Sequence, residues 1–188
     1  MAKKLDQIIV VDVEATCWDG EPPPGQESEI IEIGVCTLDV ASCQRLEKQD
    51  ILVKPERSTV SAYCTRLTTL SQAEIDRGIA FAEACAILQK QYLSKNRVWA
   101  SYGDYDRRQF AQQCQSHNLE YPFGPTHINV KNLFALAHGL REEVGMAKAL
   151  ELMHLPLEGV HHRAGDDVWN IARILSELLL KLRGGKSS

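Results

Sequence analysis

The chain has 188 residues, 44% of them hydrophobic, and a formal net charge of −4. That length and apolar content predict one globular domain over residues 1–188 and exclude a disordered chain. The acid excess excludes a protein that grips nucleic acid through an overall basic surface, so any such contact must be local or run through cations held by carboxylates.

No apolar run reaches the roughly 18 residues that a membrane helix needs. No long apolar stretch follows the first six residues. The cysteines, Cys17, Cys36, Cys43, Cys64, Cys85 and Cys114, include no C-x-x-C pair. They read as free thiols of a cytoplasmic protein that has no structural zinc and no membrane contact.

Taken in chain order, residues 8–13 (IIVVDV) are a β-branched apolar run and read as a buried strand. Residues 19–27, with three consecutive prolines and Gly25, read as a surface loop. Residues 29–39 predict a second strand, and residues 45–55 a third that Pro55 ends. Strands joined only by loops form an antiparallel meander. The run SQAE at 71–74 is a capping box that opens a helix. Residues 81–93 have helical periodicity, 97–101 form a short fourth strand and 104–117 a helix. Residues 127–130 predict a fifth strand leading into a helix that runs through Ala137. Helices over 146–153 and 164–182 close a core spanning about 7–182, and 183–188 read as a frayed tail. Three meander strands followed by strand–helix alternation predict an α/β fold, a mixed five-stranded sheet that resembles the ribonuclease-H-like order.

Carboxylates stand out against this pattern. Asp12 and Glu14 lie two apart at the end of the first strand, so both side chains point to one face. Two such anions beside a buried strand are costly unless a cation joins them. Asp104 follows the fourth strand, where open α/β sheets place ligands. An ordinary helix N-cap would sit there too, and spacing leaves Asp106 as an alternative. Helical phase separates the last pair. Asp167 shares a stripe with Ile171, Ile174 and Leu178 and points to the core. Asp166 shares one with Asn170, Arg173 and Glu177 and points to water. His161 and His162 both precede this helix. Either could titrate near neutrality and serve as a general base.

Three segments together resemble a known family. DVEAT at 12–16 is similar to a D-x-E-x-T motif, YGDY at 102–105 to a second motif centred on Asp, and HRAGDD at 162–167 to H-x-x-x-x-D. In this order they resemble the DEDDh exonucleases of the DnaQ-like superfamily. EIIE at 29–32, YCTRLT at 63–68 and GDDVWNIA at 165–172 are similar to the Eri-type subgroup, which includes the histone-mRNA 3′ exonuclease. The similarity runs from about Ile8 to about Leu179.

The resemblance implies metal ligands at Asp12, Glu14, Asp104 and Asp167, two Mg²⁺ or Mn²⁺ ions, and a general base at His162. It implies that the backbone around Ala15 and Thr16 holds the terminal sugar, that Cys17 and Trp18 lie near the last nucleotide with Trp18 placed to stack on a base, and that Leu67 and Thr68 pack on the terminal base. Thr69 departs from the glycine common in relatives, which bears on the shape of that pocket. The implied activity is 3′→5′ hydrolysis of single-stranded RNA, with DNA as the alternative substrate, to nucleoside 5′-monophosphates. The two-metal spacing would be about 3.5–4 Å. Arg107, Arg108, Lys131 and Arg163 are candidate contacts to upstream phosphates. Alternatives are DNA proofreading, oligoribonuclease-type trimming, or a catalytically silent nucleic-acid-binding module.

Overall fold

The structure is a computed structural model and describes residues 4–184. Five strands form one sheet in the order β3-β2-β1-β4-β5. β1 (Lys4–Ala15), β2 (Ile30–Asp39) and β3 (Arg45–Leu52) pair antiparallel as the expected meander. β4 (Arg97–Ser101) joins β1 in parallel, and β5 (His127–Asn129) joins β4 in parallel. This is the mixed, ribonuclease-H-like sheet that the sequence predicts.

Helices cover both faces, and the period of two along β1 decides which residues meet them. Ile8 and Val10 pack with Cys36 and Leu38 under α5 (Val130–Ala137), α6 (Met146–Leu152) and α7 (Ala164–Leu182). Ile9, Val11 and Val13 face the other way, onto Phe81 and Leu88 of α3 (Phe81–Gln91) and Phe110 of α4 (Tyr105–Ser116). A sheet buried on both sides explains why the β1 run is continuously apolar rather than alternating. α7 seats directly on β2 at Gly34, where a Cβ would lie 2.1 Å from the Ala164 carbonyl oxygen. Any side chain there would push the helix start off the sheet.

Two short helices fill the β3–α3 connection, α1 (Ala62–Thr68) and α2 (Gln72–Ile75). α2 carries the predicted capping box of Ser71 and Glu74. α1, which the sequence pattern does not predict, is capped by Ser61, whose hydroxyl accepts from the Cys64 N–H. β3 ends at Leu52, ahead of Pro55. All six cysteines are unpaired. Among the described residues, no helix is long and apolar enough to cross a membrane. Of the predicted tail, Arg183 caps α7 and donates to the Ala41 carbonyl. Residues 185–188 lie outside the described residues.

Candidate active site

Asp12 and Glu14 continue the Ile8–Val10 face of β1, so they emerge on the side covered by α7. A register shift between Glu14 and Ala15 ends regular pairing with β2 there, as bulges commonly do beside sites. α7 brings Asp167, 4% exposed, onto the same spot on its apolar stripe. From the opposite face, the first turn of α4 sends Asp106 back to β1, where its carboxylate accepts the Val13 N–H over 3.0 Å. The loop before α7 supplies His161 and His162. All of these groups line one cleft of about 390 Å³.

One carboxylate oxygen from each of Asp12, Glu14 and Asp167 lies within 4.8 Å of the others. Burial and mutual repulsion act on the whole set. Burial, then the charges of Asp167 and Glu32, push Glu14 up to about 9. Burial pushes Asp106 to about 7 against the opposing Val13 hydrogen bond. Burial, with Asp106, Glu14 and Asp167 adding repulsion, raises Asp12 well above the carboxylate range. Burial raises Asp167 as well, held back by His161 and by the His162 N–H, which donates to it over 3.0 Å. Asp12, Glu14 and Asp167 form a converging set of hard oxygen donors, with Asp106 lining the same cleft, and divalent cations such as Mg²⁺ or Mn²⁺ fit that set.

The histidines stack, with ring centroids 4.0 Å apart. His161 Nδ1 lies 3.0 and 3.1 Å from the Asp167 carboxylate oxygens. His162 Nδ1 lies 3.9 Å from Glu14 Oε1. Burial, then the neighbouring His161, lower the His162 pKa. His162 therefore stays neutral, and able to accept a proton, at neutral pH.

The two aspartates of the second motif are placed differently. Asp104 is the N-cap of α4, its side chain 45% exposed and 3.3 Å from Arg107 Nε. It lines a separate cavity, whereas Asp106, 3% exposed, lines the cleft. The signal was present in the sequence. Asp106 shares a helical stripe with Phe110 and Cys114, while Asp104 shares one with Arg107 and Arg108.

The predicted nucleotide contacts divide. Ala15, Cys17 and Leu67 line the cleft, together with Tyr102, Tyr105 and Met146, which the sequence did not suggest. Thr16 is not among the cleft-lining residues: its N–H donates to the Glu29 carbonyl, its carbonyl accepts from the Ser28 hydroxyl, and its own hydroxyl accepts the Glu29 N–H. The Thr68 hydroxyl donates to the Cys64 carbonyl inside α1. Trp18 is half-buried and is not among the cleft-lining residues. Thr69 is exposed and also outside the cleft. Of the upstream cations, Arg107 pairs with Asp104, Lys131 with Glu143 and Arg163 with buried Glu32. Asp166 does not face open water, since it pairs with Lys48 of β3 and accepts the Val160 N–H over 2.8 Å.

The mixed sheet thus carries carboxylates on β1, α4 and α7 around one cleft, with a histidine loop before the last helix. The RNase T exonuclease family model matches residues 9–175, and the chain belongs to that family. It is 30% identical over 187 residues to the 3′-5′ exoribonuclease 1 of Rattus norvegicus, covering 93% of this chain and 53% of that protein. The chain thus spans about half the length of that relative. The nuclease domain of 3′hExo, described as a DEDDh family member bound to rAMP, superposes with a TM-score of 0.80 at 26% identity, covering 100% of this chain and 98% of that one. A 3′-exonuclease solved in recognition of the histone mRNA stem-loop gives a TM-score of 0.83 at 27% identity, covering 96% and 65%.

Proposed function

We propose that the protein is a metal-dependent 3′→5′ exonuclease that removes nucleoside 5′-monophosphates from single-stranded RNA. The observation that carries this reading is the convergence of Asp12, Glu14, Asp106 and Asp167 in one cleft beside His162. RNA is favoured over DNA because the similar proteins are described as exoribonucleases.

The four carboxylates would hold two Mg²⁺ or Mn²⁺ ions. When bound, these cations neutralise phosphate charge and make water a better nucleophile. The chain supplies the rest. Ala15, Cys17 and Leu67 form the wall against which the terminal nucleotide rests. His162 turns Nδ1 towards Glu14, which leaves Nε2 to take the proton of the attacking water. That water adds to the last phosphodiester phosphorus, the bond from phosphorus to the upstream 3′-oxygen breaks, and the strand leaves one nucleotide shorter with a 3′-hydroxyl. The lowered His162 pKa keeps the acceptor lone pair free at neutral pH.

The test follows 5′-labelled and 3′-labelled RNA and DNA of matched sequence with Mg²⁺, Mn²⁺ or EDTA. A 5′ label should give a descending ladder, and a 3′ label should appear at once as mononucleotide. Release from the 5′ end, or full activity in EDTA, would reject the reading.

A further inference from the structure

We propose that Glu32 is a positioning residue of this centre: through Arg163 it fixes the turn that aims His162 into the cleft. Glu32 lies on β2 directly opposite Glu14 in the β1–β2 register, and it is 0% exposed. The hydrogen bonds to its carboxylate come from the two residues that follow His162. Arg163 donates from Nε over 3.2 and 3.3 Å and from Nη2 over 2.8 Å, and the Ala164 N–H donates over 2.8 Å.

Electrostatics makes a carboxylate at this position unfavourable. Its charge helps push Glu14 and Asp12 up, so it adds a fifth carboxylate to a site already crowded with four. A buried charge is tolerated only with close partners, and Arg163 supplies the balancing one. What the pair secures is geometry. His162 has φ +65°, a left-handed backbone that carries a steric cost for any residue but glycine. Such a turn persists only when the surrounding contacts over-determine it.

Here they do, from both sides. Downstream, Glu32 holds Arg163 and Ala164, and Ala164 is pressed against Gly34. At the turn itself, Asp167 accepts the His162 N–H. Upstream, Asp166 accepts the Val160 N–H, and Glu158 is tied to Arg45 and to Asn170. Two histidines are adjacent, so a slip of one residue would exchange the ring that faces Glu14 for the ring that faces Asp167. Glu32 and Arg163 set that register.

This inference rests on His162 as the base, and the experiment separates the two. Steady-state cleavage of a labelled RNA oligonucleotide is measured for Glu32→Gln, Arg163→Lys, His162→Ala and the Glu32→Gln/His162→Ala double variant, with melting temperatures for each. Glu32→Gln and Arg163→Lys should lower kcat roughly 10- to 100-fold, the scale of losing a group that orients an active-site residue, with KM within about two-fold. The double variant should be no slower than His162→Ala by more than about two-fold, because a residue acting through His162 has nothing left to position. Losses that multiply in the double variant would mark Glu32 as merely structural and overturn the proposal. Wild-type kcat in Glu32→Gln and Arg163→Lys, with His162→Ala slow, would overturn it while leaving the base assignment intact. Near-normal turnover in His162→Ala would overturn both. If Glu32→Gln fails to fold, the partly exposed Arg163→Lys variant and its own double with His162→Ala decide the matter.

Discussion

The Val13 N–H donates to the Asp106 carboxylate over 3.0 Å, and this one bond ties the first turn of α4 to the middle of the β1 acidic motif. Val13 stands between Asp12 and Glu14, so the three carboxylates are referenced to a single stretch of backbone. Asp104, two residues earlier, points to the α4 surface and pairs with Arg107. Asp106→Asn is therefore expected to cut mononucleotide release ~10³-fold, the scale of losing a main electrostatic group in a site. Asp104→Asn removes only an exposed ion pair and should leave the rate within about two-fold. The same RNA assay on both variants checks this, and a rate ranking in the opposite order would return Asp104 to the site.

Asp166 and Asp167 are neighbours with different work. Asp167→Ala should abolish turnover with little change in melting temperature, since relief of carboxylate repulsion offsets loss of the acceptor for the His162 N–H. Asp166→Ala is a different kind of loss. It releases Lys48 and the Val160 N–H, about 1–2 kcal/mol of charge-assisted hydrogen bonding, and loosens the loop that carries both histidines. A lower melting temperature and a roughly 10-fold slower rate are expected, short of the Asp167→Ala defect. Calorimetry paired with the rate assay reads both. Wild-type behaviour in Asp166→Ala would mean that the Lys48–Asp166–Val160 contacts do not hold the loop.

How far the sequence could be read depends on which force fixed each residue. The α7 boundaries and the choice of Asp167 over Asp166 followed from helical phase, because nineteen residues of helix give the apolar stripe room to declare itself. The meander followed from β-branched runs broken by loop residues. Asp106 stands in the sequence only as the alternative to Asp104, although its phase with Phe110 and Cys114 carries the same information. The position just after a strand drew attention to Asp104, and that position is also where an N-cap belongs. α1 was missed because seven residues with a Ser61 cap leave almost no periodicity. The roles of Thr16, Glu32 and Asp166 are set by partners 13 to 132 residues away, Glu29 for Thr16, Ala164 for Glu32 and Lys48 for Asp166. No local pattern encodes such contacts.

Thr69 illustrates a local cost that the sequence hinted at for a different reason. It is the C-cap of α1 with φ 65°, a left-handed conformation that a β-branched residue rarely adopts. Glycine, which the family resemblance leads one to expect here, would relieve a strain of roughly 1–2 kcal/mol and lose about 0.5–1 kcal/mol through greater freedom of the unfolded chain. Thr69→Gly should thus stabilise the protein by up to ~1 kcal/mol, a rise of roughly 2–4 °C in Tm for a chain of this size. Because Thr69 lies outside the cleft, KM should not change. A lower Tm, or an altered KM, would show that the threonine side chain is used.

The carboxylate cluster makes folding stability depend on pH in a direction opposite to that of ordinary surface acids. Glu14 titrates near its usual value of 4.5 when unfolded and near 9 when folded. Below about 4.5 both states hold the proton, and the site costs little. Between about 4.5 and 9 the folded chain keeps a proton that the unfolded chain has released, so stability falls as pH rises through this window. Asp106, raised to about 7, adds to the slope over the lower part of it. In EDTA, the melting temperature should be lower at pH 8 than at pH 5.5. Cation binding needs the deprotonated ligands, so added Mn²⁺ should raise Tm more at pH 8 than at pH 5.5 and release protons as it binds. Glu14→Gln isolates the effect from the other titrating groups: its EDTA curve should be flatter than that of the wild type, and its response to Mn²⁺ smaller. A wild-type Tm that is equal at the two pH values in EDTA and indifferent to Mn²⁺ would mean that these side chains do not repel one another and do not receive a cation.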